Sequence, residues 1–195
     1  MTRKEQKEER RRAILMTALN LFVEKGYYDT KITDIAAAVP MSTGLMFHYF
    51  ESKEELLLEL VKMGAEGTRS LSAGIPPEQI QQIPADAFLT GFLSKMFTYA
   101  REEPWVFNMF VLMGQVRRSG MPEEARKASM KVDSIEFTAG LIAKGQKEGV
   151  FREGDPVMLS RCFWASVQGI MEEMAMDRQM PAPDPEWLVS ILRRG

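Results

Sequence analysis

Residues 33–50 read TDIAAAVPMSTGLMFHYF, and this stretch decides the fold. A short apolar patch from Ile32 to Val39 ends at Pro40, whose missing N–H and restricted φ stop a helix. Ser42, a good N-cap, opens a second short patch running through Phe50. Two brief helices therefore flank a tight turn. Ile35 with Val39, and Met46 with Phe50, have the spacing to form inner faces. Ser42, Thr43, Gly44 and Leu45 cluster at the start of the second helix. Unpaired N–H groups and the positive dipole end suit a phosphate there, and small side chains permit close approach. The pattern is that of a helix-turn-helix, in which one helix enters the major groove while its neighbour braces against the backbone.

Working outward, Ile14, Ala18, Leu21 and Phe22 recur at helical spacing upstream and stop at Lys25-Gly26, a cation followed by a residue suited to a left-handed exit. Downstream, Ser52 and Glu55 spell a capping box ahead of a leucine-rich helix reaching about residue 70. Then comes GIPPEQIQQIP, residues 74–84, whose prolines 76, 77 and 84 mark a joint with room for one turn of helix. Five helical tracts follow, about 85–103, 105–118, 122–148, 156–176 and 185–193. Asp155-Pro156 and Asp184-Pro185 each set an N-cap acid before a proline at the first helical position. No strand-like alternation competes. The expectation is an all-α fold of about nine helices. Residues 1–51 form a three-helix DNA-binding domain, and residues 52–195 form a second helical domain entered through the linking helix 52–70.

A chain of 195 residues can bury its own core, and its single cysteine and single histidine, Cys162 and His48, rule out a Cys/His metal cluster or a disulfide framework. No metal or cofactor is implied, and no motif joins a base to a nucleophile or a phosphate loop, so an enzyme is not expected. The opening MTRKEQKEERRR carries both charge signs and is unlike a signal peptide or a membrane span, which points to the cytoplasm and to no membrane partner. The formal net charge of −2 argues against indiscriminate coating of nucleic acid and makes the position of the cations what matters. Arg3, Lys4, Lys7 and Arg10 to Arg12 form a basic arm suited to the DNA backbone or the neighbouring minor groove. The interspersed Glu5, Glu8 and Glu9 leave a solvated, ion-paired helix start as the other reading.

ILMTALNLFVEKGYYDTKITDIA and MSTGLMFHYFESKEELL, in this order and spacing from about Ala13 to Leu60, resemble the tetracycline-repressor (TetR) family of bacterial transcriptional regulators. The resemblance implies a homodimer with two DNA-reading heads, whose C-terminal domain binds a small ligand and dimerises through its last two long helices. It implies release from a palindromic operator when ligand binds. The family's operator-contact positions fall on Thr33, Ser42, Thr43, Gly44, Leu45, Phe47, His48 and Lys53, to which the arm adds Arg3 and Lys4. Thr43 suits a base edge or a phosphate, Leu45 a thymine methyl, and Lys53 a phosphate. Four departures stand out. Pro40 replaces the family's turn glycine, and its ring bars a left-handed turn. Lys31 replaces a threonine cap, leaving Thr30 as the expected cap. Phe47 lacks a tyrosine hydroxyl, and Thr43 stands for a lysine. Together these shift electrostatic affinity from the recognition helix to the arm.

Beyond residue 85 the apolar side chains outnumber what one helix face needs, and the chain has 15 methionines, an adaptable lining for a small apolar or aromatic effector. Phe88, Phe92, Met96, Trp105, Asn108, Met109, Met113, Phe137, Phe163 and Trp164 are the candidates, with ordinary core packing as the alternative for the apolar side chains and solvent exposure or an internal hydrogen bond as the alternative for Asn108. Gly169 within SVQGIMEEM permits close helix approach, and Val167, Ile170, Trp187, Leu188 and Ile191 supply apolar faces for a two-fold interface. Cys162, among Phe163, Trp164 and Val167, reads as an inert buried thiol. His48 reads as a packing or backbone-contacting residue without catalytic partners. The alternative to a ligand-released repressor is a dimeric ligand-binding or architectural protein of the same fold with little sequence-specific DNA binding.

Overall fold

The computed structural model describes residues 2–70, 76–131 and 134–194. The described chain is helical, in the order α1 (Arg3–Lys25), α2 (Ile32–Ala38), α3 (Thr43–Met46), α4 (Lys53–Ser70), α5 (Pro77–Gln82), α6 (Ala85–Glu102), α7 (Trp105–Val116), α8 (Glu123–Met130), α9 (Ser134–Lys147), α10 (Pro156–Met176) and α11 (Pro185–Ser190). The all-α expectation holds, with more helices than the nine foreseen. The 74–84 joint carries α5, although Gly74 and Ile75 lie outside the described residues. The 122–148 tract is two described helices with Lys131 in a turn between them. No described helix is long and apolar enough to cross a membrane.

The chain divides into two compact units, Met1–Gly64 with Asn108–Met130, and Ala65–Phe107 with Lys131–Gly195. The division drawn from the sequence at residue 51 runs differently: the unit holding the helix-turn-helix also takes in part of α7 and all of α8. Three contacts explain why. The Asn108 amide donates to the Asn20 side chain at 2.8 Å, and the Tyr28 hydroxyl donates to the Gly120 carbonyl. A β-carbon on Gly64 would come within 2.8 Å of the Met109 sulfur. The core of this unit is the apolar stripe of α1 (Ile14, Ala18, Leu19, Phe22) closed by Ile35, Met46, Phe50, Leu56, Leu57 and Leu60, all fully or almost fully buried.

In the other unit Phe163, Val167, Met171 and Met174 point α10 inward, with Leu93, Ile142 and Phe151 also buried. Side chains anchor the helix starts there. Asp155 accepts from the Val157 and Met158 N–H groups at 2.8 and 3.2 Å, and Asp184 accepts from Glu186 N–H at 2.9 Å. Glu148, at the far end of α9, accepts from the Ala85 N–H at 3.1 Å and so caps α6 from another element. Lys144 pairs with Glu148 at 3.2 Å and donates to the Ile80 and Ile83 carbonyls, fastening the stretch before α6. After α11 the chain turns to meet residues 150–152, where Arg152 N–H donates to Leu192 at 2.8 Å. This ends α11 at Ser190, short of the expected residue 193.

Several local expectations are corrected. Residues 3–12 are not a free arm but the first turns of α1. They are closed by a true capping box in which Glu5 N–H donates to Thr2 Oγ1 at 3.2 Å and Thr2 N–H to Glu5 Oε2 at 2.7 Å. Thr30 does not cap α2: its buried hydroxyl turns back to the end of α1, meeting the Gly26 carbonyl at 2.8 Å. Asp34 Oδ2 accepts from the Lys31 N–H at 3.1 Å instead. At the start of α4, Ser52 Oγ accepts from Glu55 N–H at 3.1 Å, but the Glu55 carboxylate reaches one residue further back, to Glu51 N–H at 2.5 Å. Gly26 leaves α1 at φ +88°, as its position suggested.

Pro40 overturns the expectation of a barred left-handed turn, since it sits at φ +24°. The Met41 N–H donates to the Ala36 carbonyl at 3.0 Å, the outer bond of a Schellman exit. The inner bond would come from Pro40, which has no N–H. α2 packs on α1, and α3 on α2, around this turn.

Candidate nucleic-acid interface

The four-residue α3 is positioned from within. Met46 and Phe50 are buried, and the Ser42 hydroxyl accepts from the Leu45 N–H at 3.1 Å, so the helix start is closed by its own cap. That orientation turns the remaining side chains out. Ser42, Gly44, Leu45, Phe47 and His48 are exposed, Thr43 is part-exposed, and Thr33 at the start of α2 is exposed. Phe47 is half exposed, at 50%, although nothing in its own unit requires an unburied ring. His48 is thus a surface side chain, which sets aside the packing alternative. The group offers hydroxyls, an imidazole and two apolar contacts on one short helix and its exit, the mixture that reads base edges and thymine methyls.

Lys53 is placed differently from the expected phosphate ligand. Its ammonium donates to the Tyr27 and Thr30 carbonyls at 2.8 and 3.0 Å and lies 4.3 Å from the Tyr27 ring centroid. Two of its three donors therefore tie α4 to the α1–α2 connection, leaving one for a phosphate. Tyr27 is buried beside it. Burial pushes the phenol's ionisation up, assisted by the Glu54 carboxylate, which is near enough for its charge to act but not in hydrogen-bonding geometry.

Within the former arm the cations have separate fates. Arg11 is structural: its guanidinium pairs with Glu59 at 3.0 Å and stacks 4.7 Å over the Phe50 ring. The Arg11 hydrogen bond holds the Glu59 carboxyl below the usual carboxylate range, with Lys62 adding to the effect against a smaller cost of burial. Arg3, Lys7 and Arg10 instead line a groove shared with Thr17, Pro40 and Tyr49. Lys4 is exposed on another face of the helix and does not line that groove. Tyr49 escaped the sequence reading because Met46 and Phe50 accounted for the apolar spacing. The only signal for it was its place next to His48.

The expected effector and dimer residues sort by burial. Phe88, Met96 and Phe163 are buried, Phe92 meets Trp164 with ring centroids 6.1 Å apart, and Phe88 meets the exposed Phe137 at 6.1 Å. Trp164 Nε1 donates to Thr138 at 2.9 Å and Trp105 Nε1 to Glu103 at 2.8 Å. Asn108, Met109 and Met113 belong to the first unit, where Asn108 bonds Asn20 and both sulfurs close on Gly64. Core packing thus accounts for the two methionines, and an internal hydrogen bond for Asn108. Val167 and Leu188 face their own unit's core, correcting their assignment to an interface, whereas Gly169 and Trp187 are exposed and Ile170 and Ile191 partly so. Cys162 is exposed, not buried.

Residues 14–60 match the family described as bacterial regulatory proteins, tetR family. Over 55 residues the chain is 46% identical to the HTH-type transcriptional regulator HbdR of Aromatoleum sp. (strain CIB), a stretch that takes in 28% of this chain and 24% of that protein. The chain thus spans about a quarter of that relative's length. The crystal structure of the MbdR regulator from Azoarcus sp. CIB superposes with a TM-score of 0.76 at 26% identity, covering 94% of this chain and 97% of that one. The TetR family transcriptional regulator PfmR from Thermus thermophilus gives a TM-score of 0.68 at 28% identity, covering 92% and 96%.

Proposed function

We propose that this chain, a member of the tetR family of bacterial regulatory proteins, is a homodimeric transcriptional repressor that reads a palindromic operator and is released by a small apolar or aromatic effector. The observation that carries the reading is the outward set on α3 and its exit, Ser42 through His48, held on a braced inner face of Met46 and Phe50. Thr33 extends that set from α2. In this reading Thr43 and His48 make polar contacts, Leu45 and Phe47 meet thymine methyls or sugar faces, and Ser42 and Lys53 each approach a phosphate. Two such heads on a two-fold axis match half-sites about 34–36 Å apart on one face of the duplex.

The effector reading is supported by two aromatic groups, Phe88 with Phe137 and Phe92 with Trp164 and Phe163, and by Met96 buried in the same unit. A switch needs the effector to prefer one state by a coupling energy of about 1–3 kcal/mol. Gly169, Ile170, Ile191 and Trp187 are the interface candidates, because an exposed Trp on a short terminal helix gains most by being covered by a second copy.

The test is selection of bound fragments from randomised duplex DNA at near-physiological salt. Enrichment of a palindrome with half-sites one turn apart is the expected outcome. Salt-sensitive binding without enrichment would leave only the sequence-independent electrostatic contribution, and would favour a ligand-binding or architectural dimer.

A further inference from the structure

We propose that the groove between α1 and the helix-turn-helix turn, lined by Arg3, Lys7, Arg10 and Tyr49, seats the DNA phosphate backbone beside each half-site. The inference rests on the operator-reading proposal and adds a second, rigid contact surface to it.

Arg3, Lys7 and Arg10 follow one another at spacings of four and three residues, so they form one stripe along α1. All three line the groove, and no side-chain hydrogen bond or ion pair joins any of them to another described residue. Arg11, by contrast, is taken up by Glu59 and Phe50. The groove lining carries three cations against the single carboxylate of Glu9, an excess of positive charge in a chain whose net charge is −2. The opposite wall is the α2–α3 turn, where Pro40 has no N–H to offer, together with Tyr49, which directly follows Phe47 and His48. The groove therefore borders the segment that presents the reading residues.

The capping box matters here for its rigidity. Thr2 and Glu5 close the first turn, so the stripe projects from an ordered helix and not from a flexible tail. Seven residues of helix rise about 10 Å, the axial rise of about three nucleotides of one strand. Three flexible cations over that length meet successive phosphates without reading a base, and preordering of the helix lowers the entropy lost on binding.

The experiment measures operator affinity against salt concentration for the full chain, using the sequence selected above. The triple variant Arg3→Gln, Lys7→Gln, Arg10→Gln keeps good helix formers and, because a dimer carries the groove twice, is expected to reduce the logarithmic salt slope by about 5. Its thermal midpoint and preferred sequence should match the wild type. Lys25→Gln, at the far end of the same helix, should leave the slope unchanged. Trimming the duplex flush with the half-sites should lower the wild-type slope to that of the triple variant. If the triple variant proves unstable, Lys7→Gln alone should remove about two units, one from each head of the dimer. A wild-type slope in these variants, or an equal loss from Lys25→Gln, would overturn the assignment. Selective competition by inorganic phosphate at matched ionic strength would also overturn it, by showing a site for free anions. Failure of the selection itself would sink the operator reading, whereas intact selection with an unchanged slope would sink only the groove.

Discussion

At the scale of single residues, Pro40 and Arg11 show how local chemistry yields to packing. Pro40 holds φ at +24°, a region a proline ring resists and a glycine enters freely. It is also the residue whose N–H a Schellman exit would use. Pro40→Gly should relieve backbone strain of about 1–3 kcal/mol and add a turn hydrogen bond, offset by about 1 kcal/mol of extra unfolded-state entropy. The expected net gain is about 1 kcal/mol, read as a rise in thermal midpoint, and a fall would mean that the ring is unstrained where it sits. Arg11 makes a pH prediction. Glu59 ionises at a lower pH in the folded chain than in the unfolded one, chiefly through the Arg11 hydrogen bond. Its contribution is therefore fully present above the unfolded carboxylate range and lost as pH falls through the folded value. Glu59→Gln should flatten the decline of stability below about pH 5 and cost about 1 kcal/mol at neutral pH. A variant whose acid limb overlays that of the wild type would remove Glu59 from the account of acid unfolding.

Among the elements, α9 makes the sharpest claim. A β-carbon built on Gly145 would lie 2.2 Å from a Phe151 ring carbon, and Phe151 is buried. The Gly145 carbonyl also accepts from the Val150 and Phe151 N–H groups, at 2.9 and 3.2 Å, so the ring cannot shift without disturbing the exit of α9. Gly145→Ala should destabilise by about 2–3 kcal/mol, the cost of overpacking. Gly145→Ala combined with Phe151→Leu should lose less than the sum of the two single changes, whereas strict additivity in denaturant melts would place the clash elsewhere. Gly145 also marks the limit of what was legible beforehand. Helical periodicity placed the apolar tracts, and Asp-Pro pairs marked the starts of α10 and α11, because both signals are local. The contact of Gly145 with Phe151, the capping of α6 by Glu148 and the return of Thr30 to Gly26 join separate elements, and no spacing rule encodes them. At the candidate interface the outward face of α3 followed from the Met46–Phe50 spacing. The tethering of Lys53 to two carbonyls did not, since it depends on where the α1–α2 connection runs.

For the whole molecule, the composition of the first unit changes what a DNA-reading head is. The helix-turn-helix shares a compact body with residues 108–130. The Tyr28 hydroxyl, the Asn20–Asn108 pair and the seating of Met109 and Met113 on Gly64 join the two stretches. A fragment ending at Gly64 would leave that side of α4 bare and remove the acceptor from Tyr28. Burying two methionine side chains is worth about 1.5–3 kcal/mol each, a large part of what a body of that size has in reserve. The fragment 1–64 should therefore unfold with a thermal midpoint far below that of the full chain, or without cooperativity, and bind the selected operator correspondingly weakly. The substitution Met109→Ala with Met113→Ala in the full chain makes the same point without truncation, and should cost about 4 kcal/mol or more and weaken operator binding with it. A fragment that melts cooperatively at the wild-type midpoint would show that 108–130 merely rests against an autonomous head. Loss in both variants would instead make this part of the chain a determinant of DNA affinity, since any change that displaces α7 from Gly64 would also reduce the fraction of heads folded for binding.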